Sequence, residues 1–137
     1  SNLIKLGAIP IINENDSIST EEILNGDNDR LSGKVATLLK SKKLFILTDQ
    51  NGVYDKNPDQ NTEAKLISKI NINKFDLKSV SFGASGILGR GGMTTKIKAA
   101  KEYLKKNNEV WILNGKKEGI VEDVLANKLY GTKIFLA

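Results

Sequence analysis

At 137 residues, with 39% hydrophobic and 27% charged side chains, the chain is long enough for one domain with a real core and has the composition of a soluble globular protein. It has no cysteine and no histidine, which removes disulfides, thiolate chemistry, the usual zinc sites and histidine-based acid–base catalysis. The net charge of +5 raises the question of nucleic acid. The lysines are scattered, however, and their densest pairs, Lys42-Lys43, Lys105-Lys106 and Lys116-Lys117, have no aromatic residues interleaved, so a solvated surface is expected instead. No apolar run has membrane-spanning length, and no signal-peptide pattern opens the chain. Any chemistry must rest on carboxylates, lysines and backbone dipoles, with or without a hard metal. That inventory suits phosphoryl transfer, which asks for positioning and charge neutralisation more than covalent help.

In chain order, Ser1 to Leu6 has the character of a tail continued from something earlier. Gly7 to Ile12 is expected to form a short apolar strand, with Pro10 marking an edge position or a strand start. A polar, acidic stretch, Asn13 to Asp29, leads into a helix from about Asp29 to Lys42. In that helix Leu31, Val35, Leu38 and Leu39 share one face. Leu44 to Leu47 is a continuous apolar run, expected as a buried and parallel strand. It is closed by Thr48-Asp49-Gln50-Asn51-Gly52, in which Asn51-Gly52 is a turn signal. Residues 53 to 88 carry short pieces at Val53-Tyr54 and Lys65 to Ile72, and a turn at Asn57-Pro58. A glycine-rich loop then enters a helix from about Thr94 to Lys106, whose buried face is Ile97, Ala100 and Leu104. A buried strand, Glu109 to Leu113, ends at Asn114-Gly115. A helix from about Glu118 to Asn127 and a last strand, Lys133 to Leu136, complete the chain.

Strands alternating with helices predict an α/β fold, a three-layer sandwich with a mainly parallel central sheet and helices on both faces. Ligands bind such sheets beyond the carboxyl ends of the strands. The polar segments after Ile12, Leu47 and Leu113 therefore belong to the candidate functional edge.

The richest segment chemically is Gly89-Arg90-Gly91-Gly92-Met93-Thr94-Thr95-Lys96. Glycines allow close backbone approach, and a helix N-terminus offers unpaired N–H groups and the positive end of the macrodipole. Together they make an anion site, with phosphate the usual anion. Lys96 lies where a cation is electrostatically misplaced unless something negative sits beside it. A solvated glycine turn is the plainer alternative.

Three polar clusters accompany it. Asn13-Glu14-Asn15-Asp16 is either an Asx-rich turn or a set of groups holding a small polar molecule. Gly26-Asp27-Asn28-Asp29 supplies a helix cap. Its two carboxylates exceed what a cap needs, and they suit Mg²⁺, a substrate ammonium or the fixing of catalytic lysines. Thr48-Asp49 is a strand-ending turn or, as often in α/β folds, a carboxylate placed for a ribose or a metal.

Four motifs in this order carry a resemblance: Ile9-Pro10-Ile11-Ile12-Asn13-Glu14-Asn15-Asp16, Gly26-Asp27-Asn28-Asp29-Arg30-Leu31-Ser32, Leu47-Thr48-Asp49-Gln50-Asn51-Gly52-Val53-Tyr54 and Gly91-Gly92-Met93-Thr94-Thr95-Lys96. From about Ile9 to the C-terminus the chain resembles the glutamate 5-kinase branch of the amino-acid kinase family. The first two motifs are specific to that branch. The last two are shared more loosely with kinases for aspartate, acetylglutamate, carbamate and uridylate.

The resemblance implies ATP- and Mg²⁺-dependent phosphorylation of the γ-carboxylate of L-glutamate, the first step of proline biosynthesis, by a cytoplasmic homo-oligomer. It implies that Asp16 and Asn28 bind glutamate, and that Asp29 lies near the reacting phosphate and orients catalytic lysines. Thr48 and Asp49 would contact the nucleotide. Arg90, Gly91, Gly92, Met93, Thr94, Thr95 and Lys96 would cover its phosphates, with Lys96 stabilising the group in transit.

The chain departs from the family at Arg90, where threonine is usual, and at Lys56-Asn57-Pro58, where Ala-Asp-Pro is common. The family's opening strand, with its glycine loop and second lysine, has no counterpart. Residues 1–137 are therefore expected to form the C-terminal, nucleotide-binding portion of a kinase domain, with half of the active site supplied from elsewhere. The alternatives are a sister kinase for aspartate or acetylglutamate and a non-catalytic RNA-binding or regulatory module.

Overall fold

The computed structural model describes residues 2–13, 27–77 and 92–137. Their elements are α1 (Asn2–Lys5), α2 (Asp27–Leu38), β1 (Lys43–Thr48), β2 (Lys69–Asn71), α3 (Met93–Tyr103), β3 (Glu109–Asn114), α4 (Ile120–Leu125) and β4 (Thr132–Phe135). The expected calls on Asp16, Gly26, Arg90 and Gly91 lie outside the described residues.

The sheet order is β1-β3-β4-β2. β1 runs parallel to β3, from Lys43 opposite Glu109 to Thr48 opposite Asn114. β2 runs parallel to β4, and β3 pairs antiparallel with β4. The sheet is thus mixed and mostly parallel.

β3 sits inside it and is apolar on both faces, as a covered central strand must be. Val110 and Ile112 face one side with Ile46, Ile70, Ile134 and the α2–α3 layer (Ala36, Ile97, Ala100, Tyr103). Trp111 and Leu113 face the other side with Ile120 and Val124 of α4. Two apolar clusters on opposite faces make the three layers expected from the alternation of elements. Each fully buried Ile, Leu or Val among them contributes about 1.5–3 kcal/mol through removal from water.

Several expected boundaries move, each for a local reason. α2 stops at Leu38 rather than Lys42. Lys40 takes a left-handed φ of 53°, and the Ser41 N–H reaches back to the Ala36 carbonyl at 3.0 Å. This is a Schellman-type ending, which satisfies the last carbonyls and turns the chain toward β1. The buried face of α2 also differs from the leucine stripe. Gly33 and Ala36 are buried, whereas Leu38 is 82% exposed. A Cβ on Gly33 would stand 3.4 Å from the Ala99 carbonyl oxygen and 3.6 Å from Tyr103 Cβ. α2 therefore meets α3 through its small residues, at close range.

β1 forms at the expected place but lies at the sheet edge, and Leu47 is 52% exposed rather than buried. The expected strand Gly7 to Ile12 is not one. It is irregular and exposed, with Ile9 at 90% and Ile11 at 97%. Pro10 supplies no ladder donor, and no described strand pairs with the segment.

β4 begins only because residue 131 is glycine. Its φ is +67°, and a Cβ there would collide with the Ile112 carbonyl.

Candidate active site

α2 precedes β1, α3 precedes β3, and the two strands are parallel. Each helix returns the chain to the start of its strand, so its N-terminus lies toward the strands' carboxyl ends. The two helices run side by side in the same sense. Asp29, in the first turn of α2, meets Thr95 and Lys96 in the first turn of α3. Gly33, one turn on, meets Ala99 and Tyr103.

Lys96 Nζ lies 3.1 Å from Asp29 Oδ2 and 3.3 Å from Oδ1. The Thr95 hydroxyl lies 3.0 Å from Asp29 Oδ2 and 2.7 Å from the Gly92 carbonyl oxygen. It has one proton for two acceptors. The Asp29 and Lys96 side chains are 15% and 13% exposed, so solvent screens this pair less than a surface pair.

The arrangement answers the electrostatic puzzle of Lys96. A cation in the first turn of a helix opposes the macrodipole, and Asp29, itself favoured at the N-terminus of α2, sits beside it. Gly92 is the N-cap of α3 and makes no side-chain cap bond, so a small extended residue opens the helix. Met93 and Thr94 follow it, half-buried. Asn28 is exposed beside Asp29.

The second group lies at the carboxyl ends of β1 and β3. Thr48 Oγ1 donates to Asp49 Oδ1 at 3.2 Å, with Asp49 exposed. The Gly115 N–H bonds the Thr48 carbonyl at 2.8 Å, carrying the ladder past the last strand pair. Asn51 and Asn114, which the sequence offered only as turn residues, join these two strand ends, with Asn114 Nδ2 donating to Asn51 Oδ1 at 2.8 Å.

Thr132, also without a sequence signal, is fully buried. Its hydroxyl accepts from the Val53 N–H at 2.8 Å and donates to the Ile67 carbonyl at 2.7 Å, which pins the loop beyond Gly52. Only the long-range contact, Val53 to Thr132, reveals its role.

Of the expected site residues, then, the fold joins Asp29, Thr95 and Lys96 directly and sets Thr48 and Asp49 on the same edge of the sheet. Among the described residues, no group of three or more Asp, Glu, His or Cys is placed to hold a metal ion. Nor is any described helix long and apolar enough to cross a membrane.

Two helix N-termini joined by an acid–lysine pair at the carboxyl edge of a mostly parallel sheet define a class rather than a single enzyme. The family model for the amino acid kinase family matches residues 1–114, and the chain belongs to that family. Among its curated relatives, the glutamate 5-kinase of Marinomonas sp. (strain MWYL1) is 42% identical over 130 residues, covering 95% of this chain and 35% of the relative. The glutamate 5-kinase of Nitrosococcus oceani is 41% identical over 133 residues, covering 97% and 36%. The chain thus spans about a third of the length of these relatives.

Among solved structures, an isopentenyl phosphate kinase aligns with TM-score 0.57 and 25% identity, over 77% of this chain and 36% of its own. The UMP kinase of Bacillus anthracis aligns with TM-score 0.58 and 19% identity, over 78% and 39%, a likeness of fold alone.

Proposed function

We propose that residues 1–137 form the nucleotide-binding portion of a glutamate 5-kinase, which transfers the γ-phosphoryl group of ATP to the γ-carboxylate of L-glutamate. The observation that carries the reading is the Asp29–Lys96 contact, 3.1 Å long and largely removed from solvent, between two helix N-termini. The relatives with about 40% identity along nearly the whole chain supply the acceptor.

In the reaction, a γ-carboxylate oxygen of glutamate forms a bond to the γ-phosphorus. The bond from that phosphorus to the bridging oxygen breaks, and ADP leaves with the electron pair. Lys96 neutralises the equatorial oxygens in transit, and Asp29 holds the lysine at the required place. Thr95 assists by placing its hydroxyl on Asp29 Oδ2, the oxygen that also lies nearer Lys96. The first turn of α3, with Gly92, Met93 and Thr94, directs N–H groups at the phosphates, an arrangement that needs no side-chain cap.

Thr48 and Asp49 take the nucleoside end. Arg90 and Gly91 extend the phosphate cover, and Asp16 and Asn28 receive glutamate, the acid meeting its ammonium and the amide its carboxylate. Mg²⁺, entering with ATP, would offset the charge of its phosphates. The enzyme is proposed to work in the cytoplasm, as a homo-oligomer, on the route to proline.

The test is an assay of the full-length kinase with ATP and a panel of L-glutamate, L-aspartate and N-acetylglutamate, trapping the acyl phosphate as its hydroxamate. Glutamate should be preferred by at least about a hundredfold in kcat/KM. Preference for another acceptor would move the protein to a sister kinase. The 137-residue polypeptide alone should show no robust turnover, and robust turnover would reject the view that it is a portion of the site.

A further inference from the structure

Resting on the reading that the Thr48–Asp49 edge receives the nucleotide, we infer that Asn114 is a positioning residue for nucleotide binding and acts through Asn51. The Lys116 backbone N–H can only donate, and it lies 2.9 Å from Asn114 Oδ1. That contact fixes the orientation of the Asn114 amide and turns Nδ2 toward Asn51 Oδ1 at 2.8 Å. The Asn51 Nδ2 then faces the Tyr54 hydroxyl at 3.4 Å. Donation runs one way, from Lys116 through Asn114 and Asn51 to Tyr54, and it crosses from the loop after β3 to the loop after β1.

The crossing matters because of what it holds. β1 is an edge strand, and Asp49 follows it into solvent. Thr48 is anchored on one side by the Gly115 N–H, and Val53 on the other by buried Thr132. The stretch between these anchors carries Asp49, and the Asn51–Asn114 bond ties it to the central strand. Loss of that bond frees the loop, so a nucleotide must reorder it on binding. Affinity falls while the chemical step, which depends on Asp29 and Lys96, does not.

The experiment uses the full-length kinase and measures ADP affinity by titration calorimetry, with steady-state constants and a thermal melt alongside. Asn114→Ala should weaken ADP and raise the KM for ATP by roughly two- to tenfold, the scale of one exposed hydrogen bond. The KM for glutamate, kcat and the melting temperature should stay near those of the parent protein.

The double variant with Asn51→Ala is the decisive one. If Asn114 merely caps the turn through the Lys116 N–H, its loss adds to that of Asn51. If it acts through Asn51, the losses do not add. Asn51→Asp keeps the acceptor for Asn114 Nδ2 and should hold ADP affinity within about twofold. Asn51→Ala combined with Asn114→Ala should cost no more than either alone.

Parental affinity in Asn114→Ala, or additive losses in the double variant, would overturn the inference. A parent protein that binds ADP but does not phosphorylate glutamate would reject the proposed acceptor, and the inference would still be decided by the ADP affinities. A parent that binds no ADP would overturn both.

Discussion

The two ends of the sheet use the same chemical parts differently. At the amino ends of β1 and β3, the Glu109 carboxylate receives Lys43 Nζ at 3.1 Å, the Trp111 indole N–H at 3.0 Å and Lys133 Nζ. Lys43 stands directly opposite Glu109 on β1, and Lys133 opposite Trp111 on β4, so one carboxylate staples three neighbouring strands. Burial alone would raise the Glu109 carboxyl. Hydrogen bonds from Lys133, Trp111 and Lys43, with the charge of Lys133, outweigh it and hold the group lowered to about 2. At the other end Asp29 meets Lys96 and a threonine hydroxyl between two helix N-termini.

Glu109 and Asp29 are almost equally exposed, 17% and 15%, so burial does not separate them. Placement does. Glu109 sits between strands that are already paired, and its partners saturate it. Asp29 sits where the N-termini of α2 and α3 meet, beside the lysine proposed to contact the phosphates. One acid–lysine group stabilises the fold, and the other is the one proposed for chemistry.

The comparison can be broken by experiment. Its largest consequence is that Lys96→Ala in the full-length kinase should lower kcat by about a hundredfold or more, with a much smaller change in the KM for glutamate and little change in melting temperature. A change confined to the glutamate KM would remove Lys96 from the transfer step. Asp29→Asn keeps the shape and the Thr95 contact but not the charge. It should cost about tenfold to a hundredfold in kcat, again with the melting temperature nearly kept.

At the opposite end the signs reverse. Glu109→Gln should leave kcat within about twofold and cost about 2 kcal/mol of stability, read from urea unfolding at pH 7. Because the folded pKa of Glu109 is lowered from 4.5 to about 2, its contribution is complete above 4.5 and is lost as the pH falls toward 2. The gap between parent and Glu109→Gln should therefore close in that window, and a constant gap would reject the charge-based account. Lys133→Met, which leaves Lys43 and Trp111 on the carboxylate, should have the smallest effect, about 1 kcal/mol. Activity loss in either Glu109→Gln or Lys133→Met, without instability, would erase the distinction between the two ends.

Much of this was legible in the sequence, for reasons that also mark where legibility ended. The helices and strands around Val110, Ile112, Ile97 and Val124 follow from local periodicity and unbroken apolar runs. Gly7 to Ile12 had a strand's composition but pairs with no strand among the described residues, and pairing is what makes a strand. The leucine stripe of α2 overstated its buried face, because the contact with α3 is made through Gly33 and Ala36 instead. The motif around Lys96 raised the expectation of an anion site. Its meeting with Asp29, 67 residues away in the chain, needed the fold or a resemblance to bring the two together. The Asn51–Asn114 bond, spanning 63 residues, and the Val53–Thr132 bond, spanning 79, had no local signal at all.

Gly33 lies one helical turn from Asp29 and touches nothing that reacts. Yet the distance at which α2 and α3 pass each other is gauged there, at 3.4 Å between a would-be Cβ and the Ala99 carbonyl oxygen. A methyl group fits that gauge, so Gly33→Ala should be borne. A branched side chain would wedge the helices apart at a fulcrum and swing Asp29 away from Lys96. The register of the candidate site is in this sense kept by the absence of a side chain, at a position outside the proposed chemistry.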